Sequence, residues 1–316
     1  MSIFGNKEKF SEAERQTVPI LLLTARNLGY TPIVKQYLEI DSIMESDLLS
    51  LWDYLLTIAC STAFISQREN PVIRLMKLLR SIAWRIIPTP VRRLLNRGSA
   101  RFCPVCESWV ARFRPFGVQS RPNAKCPVCS SLERDRLIWL FFRQKTDLFD
   151  GRPKRLLHVA PEPQLSRRLK RVPGVDYVSI DLAWGKAMMR ANVTDLLFPQ
   201  DSFDVVYCSH VLEHIPNDRK AIAELYRVLK PDGWAILQVP IKSKTTLEDS
   251  SVTDPAERQR VFGQWDHVRI YGEDYVDRLK GAGFKVTVEL FAKELSEEAA
   301  KQIAISRSER IYLCRK

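Results

Sequence analysis

The stretch DSFDVVYCSHVLEHI, residues 201–215, leads into NDRKAIAELYRVLK, residues 217–230, and then WAILQV, residues 234–239. An apolar run closed by a polar Ser-His, a helical pattern and a second apolar run read as strand, helix, strand. The same alternation extends backwards through RLLHVA (155–160), EPQLSRRLKRV (162–172) and VDYVSID (175–181). Strands that read as nearly continuous apolar runs are buried on both faces, which predicts a parallel sheet covered by helices. Towards the end, GEDYVDRLKGAG (272–283) reads as a helix, and FKVTVELF (284–291) and RIYLCRK (310–316) as strands able to pair antiparallel.

In such a sheet a ligand lies outside the carboxyl ends of the strands, at the point where strand order reverses. The residues to inspect are therefore Ala160 to Pro163, Asp181, Asn192 and Ser209 to His214. Asp181 closes the second strand, where a carboxylate can accept both hydroxyls of a ribose; the structural alternative is a capping or loop aspartate. A nicotinamide dinucleotide is disfavoured because GxGxxG is absent.

Further upstream, Cys103-Pro-Val-Cys106 and Cys126-Pro-Val-Cys129 form two CxxC pairs separated by 19 residues. That spacing suits a ribbon in which two tight turns present four thiolates tetrahedrally to a structural Zn2+ with no open position. Thiol–disulfide exchange is the weaker reading, since neither pair precedes a helix of a βαβ unit. Bound by four thiolates, the zinc site carries −2 and lowers the formal charge of the chain from +12 to about +10. The intervening ESWVARFRPFGVQSRPNAK, residues 107–125, interleaves Trp109, Phe113 and Phe116 with Arg112, Arg114 and Arg121. Such a hairpin can stack bases and contact phosphate, or supply the small core of the ribbon, or dock the ribbon on its neighbour.

The 316 residues carry 49 Lys and Arg against 37 Asp and Glu, and 45% are hydrophobic, which excludes disorder throughout. The positive excess is local: residues 67–150 hold 17 basic and 6 acidic groups, a local +11, whereas residues 1–66 hold 5 and 8. A field of this kind attracts RNA, an anionic membrane surface or an acidic substrate. Within it, PVIRLMKLLRSIAWRII (71–87) is a basic amphipathic helix without an acidic residue, either an in-plane membrane anchor, an RNA-facing arm, or a helix docked on its own protein. The longest uncharged apolar run, Tyr54 to Gln67, would extend about 21 Å as a helix, short of a roughly 30 Å hydrocarbon core, so no spanning helix is expected. The opening MSIFGNKEKFSEAER lacks the pattern of a signal peptide. With two CxxC pairs among seven cysteines, a reducing, cytoplasmic setting is expected, peripheral membrane contact being the variant that the basic helix allows.

The expected organisation is a helical region over 1–70, the basic helix and connector over 71–100, the four-cysteine zinc ribbon over 101–132, a linking helix over 133–151, and an α/β domain over 152–316. The last of these resembles a class I S-adenosylmethionine-dependent methyltransferase of the type 11 group. The likeness is carried by Asp201–Ile215, by AELYRVLKPDGWAILQVP (Ala223 to Pro240) and by WDHVRIYGEDYVDRLKGAGF (265–284). It implies a Rossmann-like seven-stranded sheet of order 3-2-1-4-5-7-6 with the seventh strand antiparallel. By that resemblance Asp181 holds the ribose of S-adenosyl-L-methionine, Asn192 and Val193 face its adenine, and Ser209, His210 and His214 border the methyl group and its acceptor. CPVC pairs feeding such a domain also resemble bacterial methyltransferases with an attached zinc ribbon.

One departure lies in the first loop, Leu157-His158-Val159-Ala160-Pro161-Glu162-Pro163, where the family has an acidic residue and a glycine-rich turn. Here His158 stands at the acidic position and no glycine is present. Without glycine a positive φ is costly, so a different turn shape is expected, with Ala160 and Glu162 meeting the methionine portion at a Pro-capped helix start. This departure also admits a noncatalytic binding module. A sulfonium methyl donor needs mainly positioning and exclusion of water; a base is required only for a protonated acceptor, and His210, Glu213, His214 and His267 are the candidates. For Glu213 and His214 the alternative is capping or packing at a helix start. Trp265, Asp266, His267 and Arg269 belong to a long connection suited to a lid or acceptor loop, preceded by KSKTTLEDSSVTDPAERQR (242–260), polar enough to be mobile. The acceptor is expected to be a small molecule or a lipid- or sugar-linked compound, the alternative being RNA guided by the ribbon, against which stands the lack of an Asn-Pro-Pro-Tyr type motif after the fourth strand.

Overall fold

The computed structural model describes residues 87–117 and 120–316. The helical region read over 1–70 and nearly all of the basic helix 71–87 lie outside the described residues. Two compact units divide the chain, Met1–Leu95 and Asn96–Lys316. In the first, the described element is α1, Thr89–Leu95. Pro90 stands in its first turn, where a missing N–H forfeits no helical bond.

The second unit begins with two antiparallel hairpins, β1 (Arg97–Cys103) with β2 (Ser108–Val110) and β3 (Arg114–Phe116) with β4 (Arg121–Lys125). Each delivers one CPVC turn: β1 ends on Cys103, and Cys126 directly follows β4. The helix expected after them is α2, Glu133–Lys145, shorter than the sequence pattern because Thr146 leaves the helical region. Its Asp135 carboxylate accepts from the Leu132 backbone N–H at 2.7 Å and closes the amino end.

The main sheet then assembles from β5 (Lys154–Val159), β6 (Val175–Asp181), β7 (Met189–Arg190), β8 (Phe203–Ser209), β9 (Leu229–Gln238), β13 (Lys285–Glu289) and β14 (Ile311–Arg315). Across the sheet the order is β13-β14-β9-β8-β5-β6-β7. β5 through β9 pair in parallel, while β14 runs antiparallel to both neighbours. The intervening helices are α3 (Pro163–Leu169), α4 (Asp218–Val228), α5 (Pro255–Phe262), α6 (Tyr275–Gly281), α7 (Phe291–Glu294) and α8 (Glu297–Ile303).

Successive strand residues point to opposite faces, so each central strand feeds two cores. Leu156, Val205 and Ile236 join a cluster with Phe141 and Phe142 of α2 and with Val110 and Phe113 of the hairpins. Their neighbours Leu157, Val206 and Leu237 join Ile222, Leu225 and Leu279 of α4 and α6. The hairpins therefore share a core with the sheet instead of hanging from it. Arg136 fastens the junction: wholly buried, it donates to the carbonyls of Ala124, Ser131, Ile303 and Ala304 at 2.6–3.0 Å and lies over the Phe113 ring at 4.2 Å. Four carbonyl acceptors satisfy a guanidinium that would otherwise be too costly to bury.

The long connection after β9 departs from expectation. Instead of a mobile polar loop it holds β10 (Ile241–Ser243), β11 (Leu247–Glu248) and β12 (Arg269–Gly272), ordered β10-β12-β11, together with α5. Two buried arginines supply the order that its composition hides. Arg269 donates to the carbonyls of Leu212, Ile215 and Pro216 at 2.5–2.9 Å, and Arg278 pairs with Asp218 and Glu248 at 2.9 and 2.7 Å. Among the described residues no helix is long and apolar enough to cross a membrane.

Candidate active site at the carboxyl ends of the strands

β6, β5 and β8 are adjacent and parallel, so their last residues line one edge. At the end of β5 the chain turns through Ala160 at φ 48, and its N–H donates to the Ile180 carbonyl at 2.8 Å. This corrects the expectation drawn from the missing glycine: alanine takes the left-handed corner at a cost on the order of 1–2 kcal/mol. A buried network below supports it. His158 is fully buried, with Nδ1 at 2.9 Å from the Tyr177 hydroxyl and Nε2 at 2.9 Å from Glu162 Oε2. His158 thus stands behind Glu162 and orients it, while Glu162 precedes Pro163 at the start of α3. Burial raises the Glu162 carboxyl, but the hydrogen bond and charge of His158 outweigh it and hold it below its ordinary value. Neighbouring Asp135 is pushed up to about 6, by burial first and then by the Glu162 charge.

Asp181 closes β6, its Oδ1 accepting from the Ala183 N–H at 2.7 Å. That bond reaches forward into the loop after β6, and the residue stays partly exposed. Asn192 lies just past β7; its Oδ1 accepts from the N–H and hydroxyl of Thr194 at 3.0 and 2.9 Å, an Asx turn that commits the amide oxygen locally. Val193 is packed into the core beside Leu196 and Phe203. At the end of β8, Ser209 is buried, as is Tyr207 two residues before it.

His210 is the second left-handed corner, at φ 55, tied by its N–H to the Gln238 carbonyl at 2.8 Å. Its Nδ1 lies 3.2 Å from Glu213 Oε1. Glu213 is 1% exposed; burial raises its carboxyl, but His210 more than offsets this and keeps it below the ordinary value. A short 3-10 turn, Leu212–His214, carries Glu213 and His214. His214 Nδ1 lies 3.3 Å from Asp266 Oδ2, and its ring meets that of His267 edge to face at 4.7 Å. Desolvation lowers the pKa of buried His267. All four candidate bases therefore gather behind β8, whereas Trp265 projects outward, 61% exposed.

A cavity of about 1020 Å³ opens beside this cluster, lined by His210, Lys242, Glu273 and Arg310 from the α/β portion and by Arg121 and Arg134 from β4 and α2. The ribbon hairpin therefore forms part of its wall. Sequence reading missed Gln238, which receives the Tyr312 N–H at 2.9 Å and donates to the Arg310 carbonyl at 2.8 Å, and missed Arg136; a polar residue closing an apolar strand was the available signal for the first.

In the ribbon, Cys103 Sγ lies 3.6 Å from Cys129 Sγ and Cys106 Sγ lies 3.8 Å from Cys126 Sγ, with all four sulfurs within 4.8 Å of one another. Sulfurs about 2.3 Å from a tetrahedral ion stand roughly 3.8 Å apart, so the set fits such an ion. Both of these contacts join one CPVC turn to the other, so the four thiols form one cluster shared by the two turns.

Residues 158–237 match the family described as "Methyltransferase domain", a stretch running from the end of β5 through β9. The edge that bears Ala160, Asp181 and Ser209 thus lies within the stretch that matches this family. Among curated relatives, "Uncharacterized methyltransferase YcgJ" of Bacillus subtilis is 32% identical over 83 residues, covering 24% of this chain and 33% of that protein. Cycloartenol-C-24-methyltransferase of Arabidopsis thaliana is 28% identical over 146 residues, 44% of this chain and 39% of that protein. The chain spans less than half the length of either relative. Among solved structures, the [4+2]-cyclase SpnF is 19% identical, with 68% of this chain and 91% of that one covered at a TM-score of 0.44.

Proposed function

We propose that this protein transfers a methyl group from S-adenosyl-L-methionine, in line, to an N, O or C acceptor on a small molecule or a lipid- or sugar-linked compound. The observation that carries the reading is the row formed by Ala160, Asp181 and Ser209–His210 at three adjacent parallel strand ends within the stretch that matches the methyltransferase family. When bound, the donor supplies a methyl group already activated on a sulfonium. The chain's residues then have positioning to do: Asp181 accepts from the ribose hydroxyls, Asn192 and the backbone of Val193 meet adenine, and the Ala160–Glu162 corner receives the methionine ammonium. His210, steadied by Glu213, is the base closest to the cavity. Zn2+ on Cys103, Cys106, Cys126 and Cys129 has a structural part, holding the hairpin that walls the cavity.

The test is calorimetric titration of the zinc-loaded protein with S-adenosylmethionine, repeated on Asp181→Ala. Binding weakened at least tenfold by the substitution supports the reading; no binding by folded wild-type protein overturns it in favour of a noncatalytic module. A second acceptor class, RNA, is favoured by one observation: Trp109 on the first hairpin and Phe116 on the second are exposed, with Arg112 and Arg114 between them in the chain. RNA binding that falls steeply with salt and is lost in the Arg112→Ala/Arg114→Ala double variant supports it, and indifference to RNA removes it.

A further inference from the structure

We infer that Glu213, His214 and His267 form a site for one divalent cation of the borderline class, of which Co2+ and Zn2+ are members, and that this ion holds an oxygen acceptor beside the cavity. The second half of the inference rests on the methyltransferase reading; the ion site does not.

Three observations carry it. The first is proximity: one ligand atom from each residue lies within 4.8 Å of the others. Donors about 2.1 Å from a common ion stand roughly 3–3.5 Å apart, so loading would draw them in by about an ångström. The second is an orphaned charge. Glu213 Oε1 faces His210, but Oε2, on a side chain 1% exposed, has no partner among the described residues. Leaving a carboxylate oxygen buried and unpaired is expensive, and a cation removes that cost. The third is preorganisation. His267 lies far along the chain from His214, yet the Val268 N–H donates to the Glu213 carbonyl at 3.0 Å and Arg269 grips the carbonyls on either side of the 3-10 turn. Asp266 engages His214 Nδ1, which leaves Nε2 as the donor, the arrangement by which outer carboxylates orient metal-binding imidazoles.

The donor set separates this cluster from the ribbon. Four thiolates close a tetrahedron, whereas two imidazoles and one carboxylate leave coordination positions for a substrate. His210 lines the cavity and contacts Glu213, so an acceptor in the cavity lies one residue from the ion. A hydroxyl oxygen bound there becomes more acidic. Its proton passes to His210 Nε2, since Nδ1 is held by Glu213. The oxygen lone pair forms the new O–CH3 bond as the S–CH3 bond breaks, and that bond's electron pair returns to sulfur, leaving a neutral thioether, S-adenosylhomocysteine, and a methyl ether.

The experiment is a titration of the full-length, zinc-loaded protein with Co2+, followed by visible absorption and calorimetry. One equivalent is expected per chain, with d–d bands and no thiolate charge-transfer band, weakened a hundredfold or more in His267→Ala and in the partly exposed His214→Gln. Acetohydroxamate, a small bidentate oxygen ligand, is expected to shift those bands. Absence of a non-thiolate equivalent in folded protein, or binding unchanged in both variants, overturns the site; bands that acetohydroxamate leaves unmoved overturn its acceptor role. S-adenosylmethionine titrated into the same samples keeps the two readings apart. Donor binding without Co2+ removes only the ion, and Co2+ without donor binding removes the methylation step.

Discussion

The loops after β5 and β8 turn on left-handed residues that are not glycine, Ala160 at φ 48 and His210 at φ 55, and each sets a glutamate against a histidine three or four residues away. In the first loop the histidine is wholly buried and bridges Glu162 to Tyr177, so both ring nitrogens are occupied. In the fourth, His210 is 28% exposed in its side chain and lines the cavity, while Glu213 keeps one oxygen unpaired. The same pair of residue types is closed and structural in one place, open and available in the other. What differs is the number of partners: a satisfied buried network rigidifies, and one with an unpaired carboxylate oxygen keeps an acceptor free.

The comparison is broken most directly by removing each glutamate. Glu162→Ala strands a buried imidazole, and breaking a buried pair from one side costs about 3–5 kcal/mol, read as a lowered midpoint of chemical denaturation. Glu213→Gln removes a charge that is only half paired, and is expected to change stability by about 1 kcal/mol or less. Equal losses would mean that the two loops are built alike. Next in size is the corner itself. A β-branched side chain is a poor fit at positive φ, so Ala160→Val is expected to cost about 2 kcal/mol, whereas Ala160→Gly relieves strain but loosens the unfolded chain and lands near zero. A neutral Ala160→Val would mean that the corner relaxes freely and is no fixed part of the ligand floor.

Much of the sheet was legible because buried parallel strands announce themselves as apolar runs such as RLLHVA and VDYVSID, and the antiparallel final pair β13 and β14 follows from FKVTVELF and RIYLCRK. The gathering of the four cysteines was legible because CxxC spacing puts each pair in one tight turn. What stayed hidden depends on contacts distant in sequence. Nothing near Arg136 in the chain says that it will clamp Ala124 to Ile303, and nothing in the polar run 242–260 says that Arg269 and Arg278 will order it through Glu248 and Asp218. The left-handed Ala160 was unreadable for another reason: propensity argues against it, and its tie to Ile180 together with the supporting network decides.

The smallest expected effect sharpens the contrast through pH. Behind the first loop stands a second carboxylate, Asp135, whose burial, and after it the charge of Glu162, raises its pKa to about 6 from the ordinary 3.8. Between those two values the folded protein binds more protons at this site than the unfolded chain, so stability falls as pH rises from about 4 to about 6 and stays lower above. Glu162 acts in the opposite sense: its value is depressed, so its contribution is present above about pH 4.5 and is lost as pH falls further. Asp135→Asn keeps an acceptor for the Leu132 N–H and Gln164, and removes the titrating group together with its charge, which faces Arg134 at 3.8 Å. Comparing unfolding free energies at pH 4.5 and pH 7, the wild type is expected to lose on the order of 1–2 kcal/mol more than the variant. If the two fall in parallel, neither burial nor the Glu162 charge holds Asp135 above its ordinary range in the folded state, and the carboxylate behind the first loop does not set it apart from the fourth.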